Sequence, residues 1–142
     1  MAHKRNAESI IKSIAHVGIR VHSLERSRAF YELFGFKFIM GPVGPEPVAM
    51  MKHPNGIEIN LVLNAKDPNA TNILMDVPEK HPGYTHAALE VDSLDDIMAV
   101  IKDADIPLSG GPVDYPFGAR GCFIRDPDRN TLEFFQPAPP KQ

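Results

Sequence analysis

A single cysteine, Cys122, stands in 142 residues, so no internal disulfide can form. That usage fits a reducing compartment. Nor do basic residues predominate: 15 Lys and Arg against 18 Asp and Glu give a formal charge of −3. With a pI near 6.0 there is no basic footprint, and nucleic acid is not an expected partner. No apolar run approaches a membrane span, and the opening MAHKRNAESIIKS holds none long enough for a signal peptide. The expectation is a cytoplasmic protein with no membrane partner. The 43% hydrophobic content is ordinary for one domain with a real core.

What is present is a repeat. Residues 14–43 lie over 84–113 without a gap, bringing His16 onto His86, Val21 onto Val91, Ser23 onto Ser93 and Leu24 onto Leu94. Ala29 falls on Ala99, and Gly41-Pro42-Val43 on Gly111-Pro112-Val113. A later apolar segment in each half carries a glutamate, Glu58 in the first and Glu133 in the second. The halves span 12–63 and 84–137, joined by a connector at 64–83 that is punctuated by Pro68, Pro78 and Pro82-Gly83.

Each half reads as strand–helix–strand–strand–strand. Residues 14–21 alternate, with Val17, Ile19 and Val21 on one face and His16, Gly18 and Arg20 on the other. Ser23 is placed to cap a helix over Leu24 to Phe34, with Gly35 at its end. Strands are expected over 36–40, ended by Gly41-Pro42, then over 48–51 and 57–63. In the second half, strand 84–91 precedes a helix capped by Ser93 and running to about Ala104, with Asp96 suggesting a capping box. Short strands follow near 106–108 and 121–125, and a last one covers 131–136. Met1 to Ile11 reads as a frayed polar lead-in. The fold class is α+β: two tandem βαβββ modules curling into a cavity.

Parity locates a site. Side chains along a strand alternate between faces. Ile57, Ile59 and Leu61 form the apolar set of their strand, so Glu58, Asn60 and Val62 take the opposite face. Leu132 and Phe134 likewise leave Thr131, Glu133 and Phe135 on the opposite face. His16, Glu58, His86 and Glu133 therefore all lie on the face away from the helix, and they converge if the two sheets enclose one cavity. Two imidazoles and two carboxylates neutralise a divalent ion and leave two octahedral positions open. Without thiolate, such a set suits Ni²⁺, Co²⁺, Zn²⁺, Mn²⁺ or Fe²⁺, one ion per site. An open metal chelates vicinal oxygens while a carboxylate moves a proton. Arg20, Asn60, Glu90 and Phe135 share this face as candidate substrate contacts. Arg120, on a Gly-flanked loop, is either an anion clamp or a solvated arginine. Met40, Met50 and Met51 are expected mainly as core, Cys122 as packed in a sheet, and His22, His53 and His81 as surface residues. Cavity edges left to cover point to a homodimer.

The segments Ile14-Ala15-His16-Val17-Gly18-Ile19-Arg20-Val21, Gly83-Tyr84-Thr85-His86-Ala87-Ala88-Leu89-Glu90-Val91 and Asp126-Pro127-Asp128 with Leu132-Glu133-Phe134 resemble the vicinal oxygen chelate superfamily. That superfamily holds glyoxalases, bleomycin-resistance proteins and dioxygenases. The likeness covers about residues 12–138. It implies paired βαβββ modules and a His16–Glu58–His86–Glu133 ligand set, similar to glyoxalase I (lactoylglutathione lyase). It further implies Glu133 as the main proton-transfer carboxylate, Glu58 as its partner, and a site that two subunits share. Arg20 matches an arginine that contacts the glutathione carboxylate. The implied substrate is a small molecule such as a glutathione hemithioacetal. The chain departs from the glyoxalases at Val62, where they carry asparagine, although Asn60 and Asn64 flank it. An epimerase, an Fe²⁺ ring-cleaving dioxygenase and a non-catalytic binding or resistance protein are the alternatives within the same superfamily.

Overall fold

The alternation of Val17 to Arg20 makes a strand, β1 (Val17–Arg20), that buries one side and leaves the other open. A computed structural model describes residues 5–69 and 71–141. The first module continues with α2 (Leu24–Glu32), β2 (Lys37–Val43), β3 (Val48–Lys52) and β4 (Glu58–Val62), after a single turn of helix, α1 (Ala7–Ile10). The second holds β5 (His86–Glu90), α3 (Leu94–Asp103), β6 (Gly110–Asp114), β7 (Arg120–Arg125) and β8 (Thr131–Gln136). The two four-stranded sheets have equivalent orders, β1-β4-β3-β2 and β5-β8-β7-β6. In each, the first strand pairs parallel to the last and the other pairings are antiparallel. The fold is α+β, as the repeat implied.

Local chemistry sets the helix ends. Ser23 accepts from the Arg26 amide and Ser93 from the Asp96 amide, each satisfying an otherwise orphan donor for about 1 kcal/mol. Gly35 adopts φ +91° just past α2, and a β-carbon there would stand 2.7 Å from His53 Nε2.

The boundaries correct several expectations. The lead-in is not wholly irregular: Asn6 caps α1, too short to show a periodic pattern. β1 and β5 are shorter than 14–21 and 84–91, because their parallel partners β4 and β8 begin only at Glu58 and Thr131. The strand expected near 106–108 lies at Gly110–Asp114, and β2 runs on through Gly41-Pro42 instead of ending there. Both segments absorb their Gly-Pro pair as an irregularity in register on an edge strand, where a missing N–H is tolerated.

One core serves both modules. Phe30, Tyr31, Phe34, Phe36, Ile59 and Leu61 of the first join Leu94, Ile101, Ile124, Leu132 and Phe134 of the second. The Phe34 and Phe134 rings meet at 5.1 Å. Met51 belongs to this core, whereas Met40 is 47% exposed and pairs with Met50 on the open face. The β7–β8 turn then locks the junction. Tyr31 donates to Asp126 Oδ2 at 2.8 Å, Arg26 pairs with Asp128 at 2.7 Å, and Asn130 Nδ2 donates to the Arg20 carbonyl at 3.0 Å. The connector is fastened to the same turn: Asp76 receives Arg125 at 2.8 and 2.9 Å and Arg129 at 2.9 Å. The modules thus meet through their helix sides.

Candidate functional site

On the open face of the second sheet, β5 and β8 run side by side in register His86↔Thr131 and Ala88↔Glu133. The carboxylate two residues along β8 from Thr131 therefore returns to the same face as the imidazole. His86 Nε2 lies 3.0 Å from Glu133 Oε1. Glu133 is 6% exposed, an unusual place for a carboxylate without a partner. Its other oxygen, Oε2, accepts from the Tyr115 hydroxyl at 3.0 Å. The His86 ring stands edge-on to Phe123 at 5.5 Å, and the Thr85 hydroxyl lies 2.9 Å from Nδ1. Burial, then the bond to Glu133, raises the Tyr115 pKa, so the phenol stays a donor at neutral pH.

On the first sheet, Glu58 is half-buried beside Lys52 in register, and Asn60 lies between Gly18 and Met50. His16 is exposed, one step upstream of the Val17↔Ile59 pair. Arg20 Nε donates to Asn64 Oδ1 at 2.8 Å, and Asn64 Nδ2 to Glu46 at 3.1 Å, so this arginine is oriented along its edge strand. Two buried oxygens, Asn60 Oδ1 and Thr131 Oγ1, have no hydrogen-bond partner among the described residues. Each belongs to the open-face set of its strand, Asn60 beside Glu58 and Thr131 opposite His86.

The structure brings His86 and Glu133 together, with Phe135 on the same face and Glu90 exposed at the end of β5. It does not bring all four expected ligands together in one chain. Among the described residues no group of three or more His, Cys, Asp or Glu side chains is placed to hold a metal. The reason is the shared core: the modules join by their helix sides, and the ligand-bearing faces are the other ones. Arg120 is the first residue of β7, not a loop residue. Its neighbour Cys122 is core, so Arg120 lies on the helix side, paired with Asp95 at 3.3 Å and Asp114 at 3.2 Å. Cys122 is fully buried and its thiol pKa is raised, first by burial and then by the Glu133 charge, which suits a packed residue and not a nucleophile.

Sequence reasoning missed Tyr115 and Thr85. Thr85 carries no motif beyond adjacency to His86. Tyr115 reaches Glu133 across 18 residues through the β6–β7 hairpin, where Tyr115-Pro116-Phe117 reads only as a turn.

Residues 13–134 match the model of the glyoxalase/bleomycin resistance protein/dioxygenase superfamily. An uncharacterized protein, YwkD of Bacillus subtilis, is 28% identical over 133 residues, covering 89% of this chain and 98% of that protein. A glyoxalase/dioxygenase from Nostoc punctiforme superposes with a TM-score of 0.72 at 22% identity, covering 99% and 100% of the two chains. A lactoylglutathione lyase from Agrobacterium tumefaciens does so at 0.65 and 19%, covering 89% and 94%. With two βαβββ modules and a family match over most of its length, the chain belongs to the glyoxalase/bleomycin resistance protein/dioxygenase superfamily.

Proposed function

We propose that the protein is a divalent-metal-dependent lyase or isomerase of the glyoxalase I kind, moving a proton next to a carbonyl. The observation that carries this reading is the approach of His86 Nε2 to Glu133 Oε1 at 3.0 Å on an open sheet face. An imidazole nitrogen and a carboxylate oxygen side by side on one face are ligand types suited to Ni²⁺, Co²⁺, Zn²⁺, Mn²⁺ or Fe²⁺. The repeat supplies a second pair, His16 and Glu58, and two buried oxygens without partners among the described residues, Asn60 Oδ1 and Thr131 Oγ1, lie on the same faces. Such groups call for a ligand or ion.

His86 and Glu133, with His16 and Glu58, would hold the ion, which would supply Lewis-acid stabilisation of negative charge on the substrate's vicinal oxygens. The chain's own residues do the rest. Glu133 Oε1 takes the proton from the carbon beside the carbonyl and returns it to the neighbouring carbon, and Glu58 is its pseudo-symmetric partner. Thr85 Oγ1, 2.9 Å from the outer nitrogen of His86, holds the ring in place. Arg20, braced by Asn64, offers its remaining guanidinium nitrogens to an anionic substrate group such as a glutathione carboxylate. Asn60, Glu90 and Phe135 border the same space.

A homodimer completes the set. β1 and β5 are edge strands in their sheets, and each is preceded by a nearly bare apolar residue, Ile14 at 84% and Tyr84 at 100% exposure. A second copy brings the complementary pair against each half and covers both residues.

The test strips the protein with chelator, reloads it separately with Ni²⁺, Co²⁺, Zn²⁺, Mn²⁺ and Fe²⁺, and supplies the methylglyoxal–glutathione hemithioacetal. Metal-dependent turnover is expected. Removing the general base in Glu133→Gln should cost about 10²–10⁴-fold with the fold intact. Tight metal binding without turnover would discard this substrate and direct the search to epimerase and ring-cleaving substrates; no metal binding would overturn the reading. A purely binding role has one observation in its favour: Tyr115, Phe117 and Phe135 form an aromatic shelf with ring centroids 5.5–6.5 Å apart beside Glu133. Affinity for a planar ligand that chelator leaves unchanged would support it.

A further inference from the structure

Three features around Glu133 have no counterpart at Glu58. The Tyr115 hydroxyl donates to Glu133 Oε2 at 3.0 Å, while Oε1 is the oxygen beside His86. Gly121 opens the room for this bond: a β-carbon there would lie 2.7 Å from Oε2 and 3.1 Å from the Tyr115 hydroxyl. The phenol is itself held, its ring parallel to Phe117 at 5.5 Å and 7°. Its backbone is closed by Tyr115 N–H donating to the Ala119 carbonyl at 2.8 Å and Gly118 N–H to the Tyr115 carbonyl at 3.0 Å. In the first module, the spacing that lays Val43 on Val113 lays Pro45 on Tyr115, and proline has no hydroxyl to offer. Glu58 stands opposite Lys52 in register, where Glu133 stands opposite Phe123.

We propose that Tyr115 is the positioning residue of Glu133: its hydroxyl pins Oε2 and leaves Oε1 as the oxygen presented beside His86. The repeat supplies two carboxylates, and among the described residues only Glu133 is given a fixed direction by a neighbouring hydroxyl. A carboxylate with one oxygen tied by a donor is restrained from turning, so Oε1 stays on the His86 side. Orienting partners of this kind are commonly worth 10–100-fold in metal affinity or activity. The functional consequence rests on the metal reading above; the pairing itself does not.

The experiment therefore has two readouts. In metal-free protein labelled with ¹³C at the tyrosine Cζ, the 3 tyrosines give three resonances, and Tyr115→Phe identifies one by deleting it. Glu133→Gln should shift that resonance, Glu58→Gln should not, and Gly121→Ala should shift it because the new β-carbon displaces Oε2. A Tyr115 resonance unmoved by Glu133→Gln overturns the pairing. In cobalt titrations, Tyr115→Phe should weaken binding by about tenfold or more and alter the visible band. With a turned-over substrate it should lower kcat while sparing KM. Unchanged cobalt affinity, spectrum and kcat overturn the positioning role. If the wild-type protein binds no cobalt, the metal reading fails alone, and the tyrosine resonances still decide whether Tyr115 directs Glu133.

Discussion

Replacing Tyr31 by phenylalanine removes one oxygen from the centre of the module junction, and the structure fixes what that costs. Tyr31 is 1% exposed and Asp126 3%. Asp126 Oδ1 accepts from the Asp128 amide at 2.9 Å and the Asn130 amide at 2.8 Å; Oδ2 accepts from Asn130 Nδ2 at 3.0 Å and the Tyr31 hydroxyl at 2.8 Å. A hydrogen bond to a charged group contributes about 1.5–3 kcal/mol. Asn130 still serves Oδ2 in the variant, which places the loss toward the lower part of that range, about 1.5–2 kcal/mol. The ring stays, keeping its edge contacts with Phe30 at 5.0 Å and Phe36 at 6.1 Å, so no cavity term adds. Thermal midpoints of domains near this size move by roughly 3–4 °C per kcal/mol, which gives about 5–8 °C. The assay is urea unfolding followed by circular dichroism at pH 7, on Tyr31→Phe, Asp126→Asn and the double variant. The coupling energy should be about 1 kcal/mol or more, as for groups in one hydrogen-bonded network. A loss below about 0.5 kcal/mol for Tyr31→Phe, the range of an ordinary surface substitution, would refute the claim that this bond locks the modules.

Asp76 carries a pH prediction. The hydrogen bonds from Arg129 and Arg125 lower its pKa from 3.8 to about 2. Its folded value lies below the unfolded one, so its contribution is present above pH 3.8 and is lost as pH falls through about 2. Urea midpoints of wild type and Asp76→Asn should differ at pH 6 and converge near pH 2; a constant gap would contradict the ion-pair account. Gly35→Ala should destabilise by about 1–2 kcal/mol, because a β-carbon is forced into left-handed backbone, and a neutral result in thermal unfolding would remove Gly35 as the stop of α2. The Cys122 thiol should resist an aromatic disulfide reagent until urea unfolds the protein. Rapid labelling of the native state would place it outside the core.

The sequence made the scaffold legible wherever one face of an element is buried. Ile59 and Leu61 against Glu58 and Asn60, or Leu132 and Phe134 against Glu133, announce both a strand and its open side, because a one-residue slip would bury the wrong set. Ser23 and Ser93 announced both helix starts for an equally local reason. β6 was misplaced because Gly110-Gly111-Pro112 reads as a break, and only the pairing with β7 makes it a strand. The face of Arg120 depends on where β7 begins, which no local signal fixes. Parity puts His86 and Glu133 on one face, but their contact needs the β5–β8 register, and the grip of Tyr115 on that carboxylate is a hairpin closure; periodicity encodes neither.

The turn Asp126–Asn130 has no equivalent in the first half, where His53-Pro54-Asn55-Gly56 joins the matching strands. The duplicated halves are therefore no longer interchangeable, and the dependence runs one way along the chain. Tyr31 waits for a residue 95 positions later, and Arg26 for one 102 positions later. In the order of synthesis, the Tyr31 hydroxyl, the Arg26 guanidinium and the Phe34 face that meets Phe134 all precede their second-half partners. The amino-terminal half becomes a finished surface only when the last two strands arrive.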